Sequence, residues 1–204
     1  MTKAPYEGAI EETAKAAGQA LDIVKGGSQA IADIYGLIIG DQLHAARHRR
    51  LDAITRRTRE ILKERDAKST EVPEQIAIPL LEAAQAESRS EMQELWSRLL
   101  ANAIDSDRAA DVRPEFIVAL KKFQPLDALV LQKIKGMVQD PGVAAVDPGN
   151  LANAMQVRQS LIRVSLDSLA STGCLAAAGT NVPGYASAYR ITSFGIEFLQ
   201  ACRE

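Results

Sequence analysis

Apolar residues recur at helical spacing along most of this sequence, and the phase resets wherever Gly, Pro or Ser interrupts it. Residues 8–25 predict a weak amphipathic helix with Ile10, Ala14, Ala17, Leu21 and Val24 on one side. Gly26-Gly27-Ser28 breaks it, and Ser28 is placed to cap a second helix whose Ile31, Ile34, Tyr35, Ile38 and Ile39 share a face. From about 41 to 68 the seam narrows to Leu43, Leu51, Ile54, Ile61 and Leu62, with charge on both flanks. So thin a stripe on a long helix suits pairing with one partner helix, in the same chain or across a dimer.

A polar, Pro-bearing connection at 68–74 leads into the central helices. Pro79 suits an early helical turn, where its missing N–H costs nothing, and Leu80, Leu81 and Ala84 point inward. Ser90-Glu91-Met92-Gln93 has the capping-box pattern, with the Ser90 hydroxyl on the N3 amide and Gln93 reaching back. The helix it opens has a wide apolar face of Met92, Leu95, Trp96, Leu99, Leu100, Ala103 and Ile104, centred on the single Trp. After a loop at 105–113, Pro114 starts a helix burying Phe116, Ile117 and Leu120. Pro125 starts another, carrying Leu126, Leu129, Val130, Ile134 and Met137 inward.

Beyond Asp140-Pro141-Gly142 the texture changes. Asp147-Pro148 reads as an N-cap followed by an N1 proline, opening a short helix at about 148–155. A longer helix at about 157–172 carries Val157, Leu161, Ile162, Leu166 and Leu169, and Gly173 ends it in the C′ position. Residues 174–178 and 188–192 predict two strands around a turn-rich tip, and 193–202 a closing helix. With 126–138 as its first helix, this order resembles the winged helix-turn-helix. The segment ITSFGIEFLQ resembles the TxxG helix that follows the wing in many regulators. The predicted fold is mainly α. A helical N-terminal and central domain (1–122, including the long basic helix) precedes a winged-helix-like C-terminal domain (123–204) with a small β-hairpin.

Composition fits that picture: 47% hydrophobic and 25% charged residues describe a globular chain, and 4% aromatic favours helix over sheet. The net charge of -2 gives the whole molecule no pull toward nucleic acid or anionic lipid, so any such affinity must be local. Charge is indeed segregated. Between 41 and 68 nine basic residues face five acidic ones. Cys174 and Cys202 lack metal-ligand spacing and read as small buried hydrophobes of a reducing compartment. The first twenty residues have no continuous apolar core of a signal peptide, and no stretch reaches the roughly 18 apolar residues of a spanning helix. The expected address is the cytoplasm.

Two basic surfaces are candidates for function. Arg47, Arg49, Arg50, Arg56 and Arg57 form an expected anion-facing or membrane-facing surface. Together with the isoleucine face before it, 31–50 has the composition of an interfacial membrane element. The plainer reading is a solvated helix with charges paired along it. On the 157–172 helix, Arg158, Gln159, Ser160 and Arg163 are placed to read base edges if it enters a major groove. The tip between Gly179 and Ala188 has no Lys or Arg, which removes the usual phosphate contacts of a wing. Asp41, His44, His48 and Asp52 share a helix face, but Arg47, Arg49 and Arg50 crowd it, so a solvated face is expected rather than zinc. Asp105, Asp107 and Asp111 lack the Gly and terminal Glu of a calcium loop. No P-loop, dinucleotide fingerprint or GxSxG elbow occurs, so the sequence points away from an enzyme and implies no cofactor, metal or small-molecule substrate.

The run from Ile78 to Leu131, with its ELWSRLLANA and VRPEFIVALKKFQPLDALVL wording, resembles the bacterial abortive infection alpha family. The resemblance implies a helical protein linked to phage exclusion and supplies no catalytic residues. It leaves three expectations from different classes. The first is a non-enzymatic defence protein acting through a protein partner or as a homo-oligomer. The second is a winged-helix nucleic-acid binder, and the third a membrane-surface effector using 31–50.

Overall fold

The computed structural model describes residues 45–138, 145–178 and 187–203. The helices expected at 8–25 and 28–40, the start of the basic helix at 41–44, the turn at 139–144 and the tip at 179–186 lie outside the described residues. Among the described residues eight α-helices and one antiparallel hairpin follow in order: α1 (Ala45–Glu64), α2 (Glu74–Ala86), α3 (Ser90–Ile104), α4 (Pro114–Lys122), α5 (Pro125–Val138), α6 (Pro148–Met155), α7 (Gln159–Ser171), β1 (Leu175–Ala178), β2 (Ala188–Ile191) and α8 (Ser193–Ala201). The mainly helical class and the late hairpin closed by a helix are those the sequence predicts. The chain forms two compact units, Met1–Ile117 with Ala201–Glu204, and Val118–Gln200.

In the first unit α1 packs on α3 and α2. Its buried side chains include Leu51, Ile54 and Ile61 of α1, Leu80 and Leu81 of α2, and Met92, Trp96, Leu99 and Leu100 of α3. Small residues let α1 and α3 approach closely: the Thr58 hydroxyl reaches the carbonyl of Ser97 at 3.2 Å, and the Ser97 hydroxyl that of Ile54 at 3.4 Å. The connection after α1 pairs back on the end of α3, with Thr70 donating to Ile104 at 2.7 Å and Ser106 to Lys68 at 2.8 Å. Buried Asn102 holds residues 201–203, donating to the carbonyls of Ala201 (2.7 Å) and Arg203 (3.3 Å) while accepting from Arg65 at 2.7 Å.

Two local expectations are corrected here. α2 begins at Glu74, so Pro79 lies in its second turn, where it has no N–H to give the carbonyl of Gln75. The capping box at Ser90 does not form. Ser90 is already the first helical residue, and Arg89 takes the cap position. The Glu87 carboxylate instead holds the cap residue itself, accepting from the Arg89 amide at 2.9 Å and its guanidinium at 2.7 Å. Gln93 reaches back as expected, but to the carbonyl of Glu87.

In the second unit α7 packs on both α5 and α6 and runs into the hairpin. Val130, Leu131, Ile134, Leu151, Ile162, Leu166, Leu169 and Phe198 are buried, and the rings of Phe123 and Phe198 meet at 5.0 Å. Asp147 caps α6 as expected, accepting from the amides of Gly149 and Asn150 at 2.8 and 2.9 Å. α7 ends in a Schellman turn: Gly173 has φ +82, its amide bonds Ala170, and the amide of Cys174 bonds Leu169. β1 and β2 pair from Leu175–Ile191 to Ala178–Ala188. No residue pattern signals that Val146, just before α6, exchanges two backbone hydrogen bonds with Tyr189 and so adds a third backbone segment beside the hairpin.

Several apolar positions depart from the expected core: Leu129 is 56% and Leu161 41% exposed, and Leu62, Leu95, Leu126, Met137 and Val157 are half-buried. The 3.6-residue period finds the apolar side of a helix but not how far its neighbours extend over that side.

Candidate functional site

The α1 arginines divide by what surrounds them. Arg47 and Arg49 are exposed. Arg50 is half-buried and donates to the carbonyl of Ala86 at 3.4 Å. Arg56 is exposed but paired with Asp52, one turn back, at 3.4 Å. Arg57 is drawn inward: its guanidinium grips Glu94 of α3 with two hydrogen bonds of 3.0 and 3.3 Å and also meets Glu60 and Glu64. Those bonds, Glu94's first, raise Arg57 above its already high ordinary pKa. Burial pushes Glu94 upward, but the hydrogen bonds from Arg57 and Arg98 outweigh it and hold its carboxyl below the usual range. A cation so matched offers little to an outside phosphate. His48 corrects a further expectation. It is 5% exposed, so its side of α1 is packed rather than solvated. Residues 31–44 of the expected membrane element, His44 among them, lie outside the described residues.

The α7 side chains expected to read bases are only partly arranged for it. Arg158, Gln159 and Ser160 are exposed at its first turn, while Arg163 is half-buried. Arg163 sits close to a Tyr189–Asp167 pair, in which the buried Tyr189 hydroxyl donates to the Asp167 carboxylate at 2.6 Å. Burial, then that hydrogen bond, push Tyr189 up to about 12 against a small opposing pull from Arg163, so the hydroxyl remains a fixed donor. Farther along, the exposed face runs Ser160, Val164, Asp167, Ser171. Val164 is 67% exposed at its centre, with Leu161 beside it. The middle of this face is therefore aliphatic and acidic. Sequence reading missed Arg190, which the alternation of β2 turns outward while Tyr189 turns in.

Asp127 was also missed. It is buried in the first turn of α5 and faces no cation among the described contacts. Its carboxylate instead accepts from the Gln124 amide at 2.9 Å and from the hydroxyls of Ser165 (2.5 Å) and Ser168 (3.0 Å) on α7. The QPLD wording hints at the cap, but nothing local points to the serines. Cys174 and Cys202 are buried, and burial pushes the Cys174 thiol up to about 11, far from a reactive thiolate. Asp105 lies within 3.9 Å of Arg65 and 3.8 Å of Arg108 and accepts from the Asp107 amide, a turn-building role.

The family model described as abortive infection alpha matches residues 46–202, from the first turn of α1 to just past α8. No curated protein and no solved structure gives a significant match.

Proposed function

Because the chain belongs to the abortive infection alpha family, we propose that it is a cytoplasmic, non-enzymatic bacterial phage-defence protein acting through protein contacts or self-association. In such a scheme an infected cell stops growing before phage matures. The observation that carries the protein-contact reading is the solvent face of α7, where Leu161 and Val164 stand exposed beside the Asp167 carboxylate. Exposed aliphatic side chains suit the dry centre of a protein interface. A carboxylate on the same face repels a phosphate backbone. The inward engagement of Arg57 and the pairing of Arg56 support the same reading, because they take two of the five arginines out of the expected basic surface. Expression in a phage-challenged host tests it. Fewer plaques, with normal growth of uninfected cells, is the expected outcome; unchanged plaque numbers would count against it.

A specific observation favours a second reading. The Val146–Tyr189 bridge, formed by the residues just before α6, supports a winged-helix reading of the unit, with Arg158, Gln159 and Arg163 on or just before its third helix and Arg190 on the hairpin. On that reading duplex DNA is bound in a salt-dependent way, more weakly after Arg158→Ala and Arg163→Ala. Absence of binding at low salt rules it out.

A further inference from the structure

The last turn of a helix leaves carbonyls without partners along its own backbone. At the end of α8 the Asn102 side chain of α3 supplies the donor. Its amide gives one hydrogen bond to the carbonyl of Ala201 at 2.7 Å and one to that of Arg203 at 3.3 Å. Its oxygen accepts from Arg65 at 2.7 Å and from Arg108 at 3.4 Å. An asparagine side chain has two amide hydrogens and two lone pairs to offer, so Asn102 is fully engaged. Arg65 completes the clasp by donating to the Arg203 carbonyl at 3.0 Å. The Asp105 carboxylate, 3.9 Å from Arg65 and 3.8 Å from Arg108, offsets the charge of two guanidinium groups that converge on one oxygen.

This clasp is built to release. Each of these three bonds to residues 201–203 ends on a main-chain carbonyl, and two of them end on Arg203, which is exposed. Segments held by exposed hydrogen bonds are among the first to open locally. Asn102 works the other way. It is 1% exposed, so a departing strap strips a buried amide of both acceptors, and that penalty draws the strap back. Cys202 lies between the two clasped carbonyls and is 4% exposed, its thiol hidden by the closed strap. The chain passes from the second unit to the first between Gln200 and Ala201, so the clasp holds it where it returns.

We propose that residues 201–203 are a latch that opens and closes while the rest of the fold stays intact. Closed, it hides the Cys202 thiol and satisfies the Asn102 amide. Open, it presents that thiol and the donors of Asn102 and Arg65 to solvent.

Maleimide labelling of the full chain, measured at each cysteine by mass spectrometry, tests it. Trp96, the single tryptophan and buried in the first unit, is the fluorescent control, and Cys174, buried in the second unit, is the thiol control. In the wild type, the labelling rate of Cys202 is expected to be nearly insensitive to urea below the unfolding transition, because a local opening exposes little surface. Asn102→Ala and Arg65→Met are each expected to speed that labelling about tenfold, with Cys174 labelling and Trp96 emission unchanged. Where Asn102→Ala also moves Trp96 emission, Arg65→Met decides, because Arg65 is only half-buried. Cys202 labelling that rises with urea in step with Trp96 unfolding overturns the proposal, as does a rate that Arg65→Met leaves unchanged. Equal acceleration of Cys202 and Cys174 also overturns it, assigning the effect to global unfolding.

Discussion

Single residues do their work through partners that are close in space and often distant in sequence. Gly195, the glycine of the TxxG wording, is required by position: a Cβ there would lie 2.2 Å from the carbonyl oxygen of Cys174. Thr192 sets that approach, its hydroxyl donating to Gly173 at 2.6 Å and accepting from the Gly195 amide at 3.0 Å. Gly195→Ala is expected to cost about 2–3 kcal/mol, read by urea unfolding, because the backbone of Cys174 cannot move aside as a flexible side chain would. Asp127 is the opposite case, a charge that sequence order conceals. Asp127→Ala leaves a buried Ser165 hydroxyl without its acceptor and is expected to cost about 3 kcal/mol, whereas Asp127→Asn keeps part of the bonding and costs less. Equal stabilities of the two variants would contradict this account of the cluster. The motif made Thr192 and Gly195 legible. Nothing near Asp127 pointed to two serines on another helix.

At the scale of elements, the periodic apolar pattern located the helices well, because burial needs one continuous stripe on each. It failed at edges. Pro79 entered the second turn of α2, the Ser90 cap yielded to the Glu87–Arg89 pair, and Leu129, Met137 and Leu161 lie at the margins of their stripes, beyond their neighbours' cover. The charged side of α1 was legible as charge and not as pairing, since Glu94 lies on a different helix from Arg57. That network links α1 to α3 and has a pH signature. The folded carboxyl of Glu94 is held below its ordinary range, so it stabilises the fold above the unfolded value of about 4.3 and loses that contribution as pH falls through the lower folded value. Glu94→Gln is therefore expected to lose about 1–2 kcal/mol at neutral pH, a gap to wild type that closes on acidification below about pH 4. A gap independent of pH, measured by urea unfolding across that range, would place the effect elsewhere.

At the scale of the molecule, the chain assigns its parts different tasks. The described part of Met1–Ile117 is a helical body around Trp96 in which Arg56 and Arg57 of α1 meet carboxylates of the chain. The unit Val118–Gln200 carries the unsatisfied apolar surface, Leu161 and Val164 on α7 and Leu129 on α5, and among the described residues no helix is long and apolar enough to cross a membrane. Aliphatic exposure next to acid on α7 is the ground for expecting protein contact, with Arg158 and Arg163 as the competing nucleic-acid signal. Plaque formation on hosts expressing wild type, Leu161→Asp/Val164→Asp or Arg158→Ala/Arg163→Ala tests the choice most directly. With all three chains folded and equally abundant, wild type and the arginine variant are expected to suppress plaques and the aspartate variant to lose suppression. Suppression that survives the aspartates and vanishes with the arginines would contradict the account.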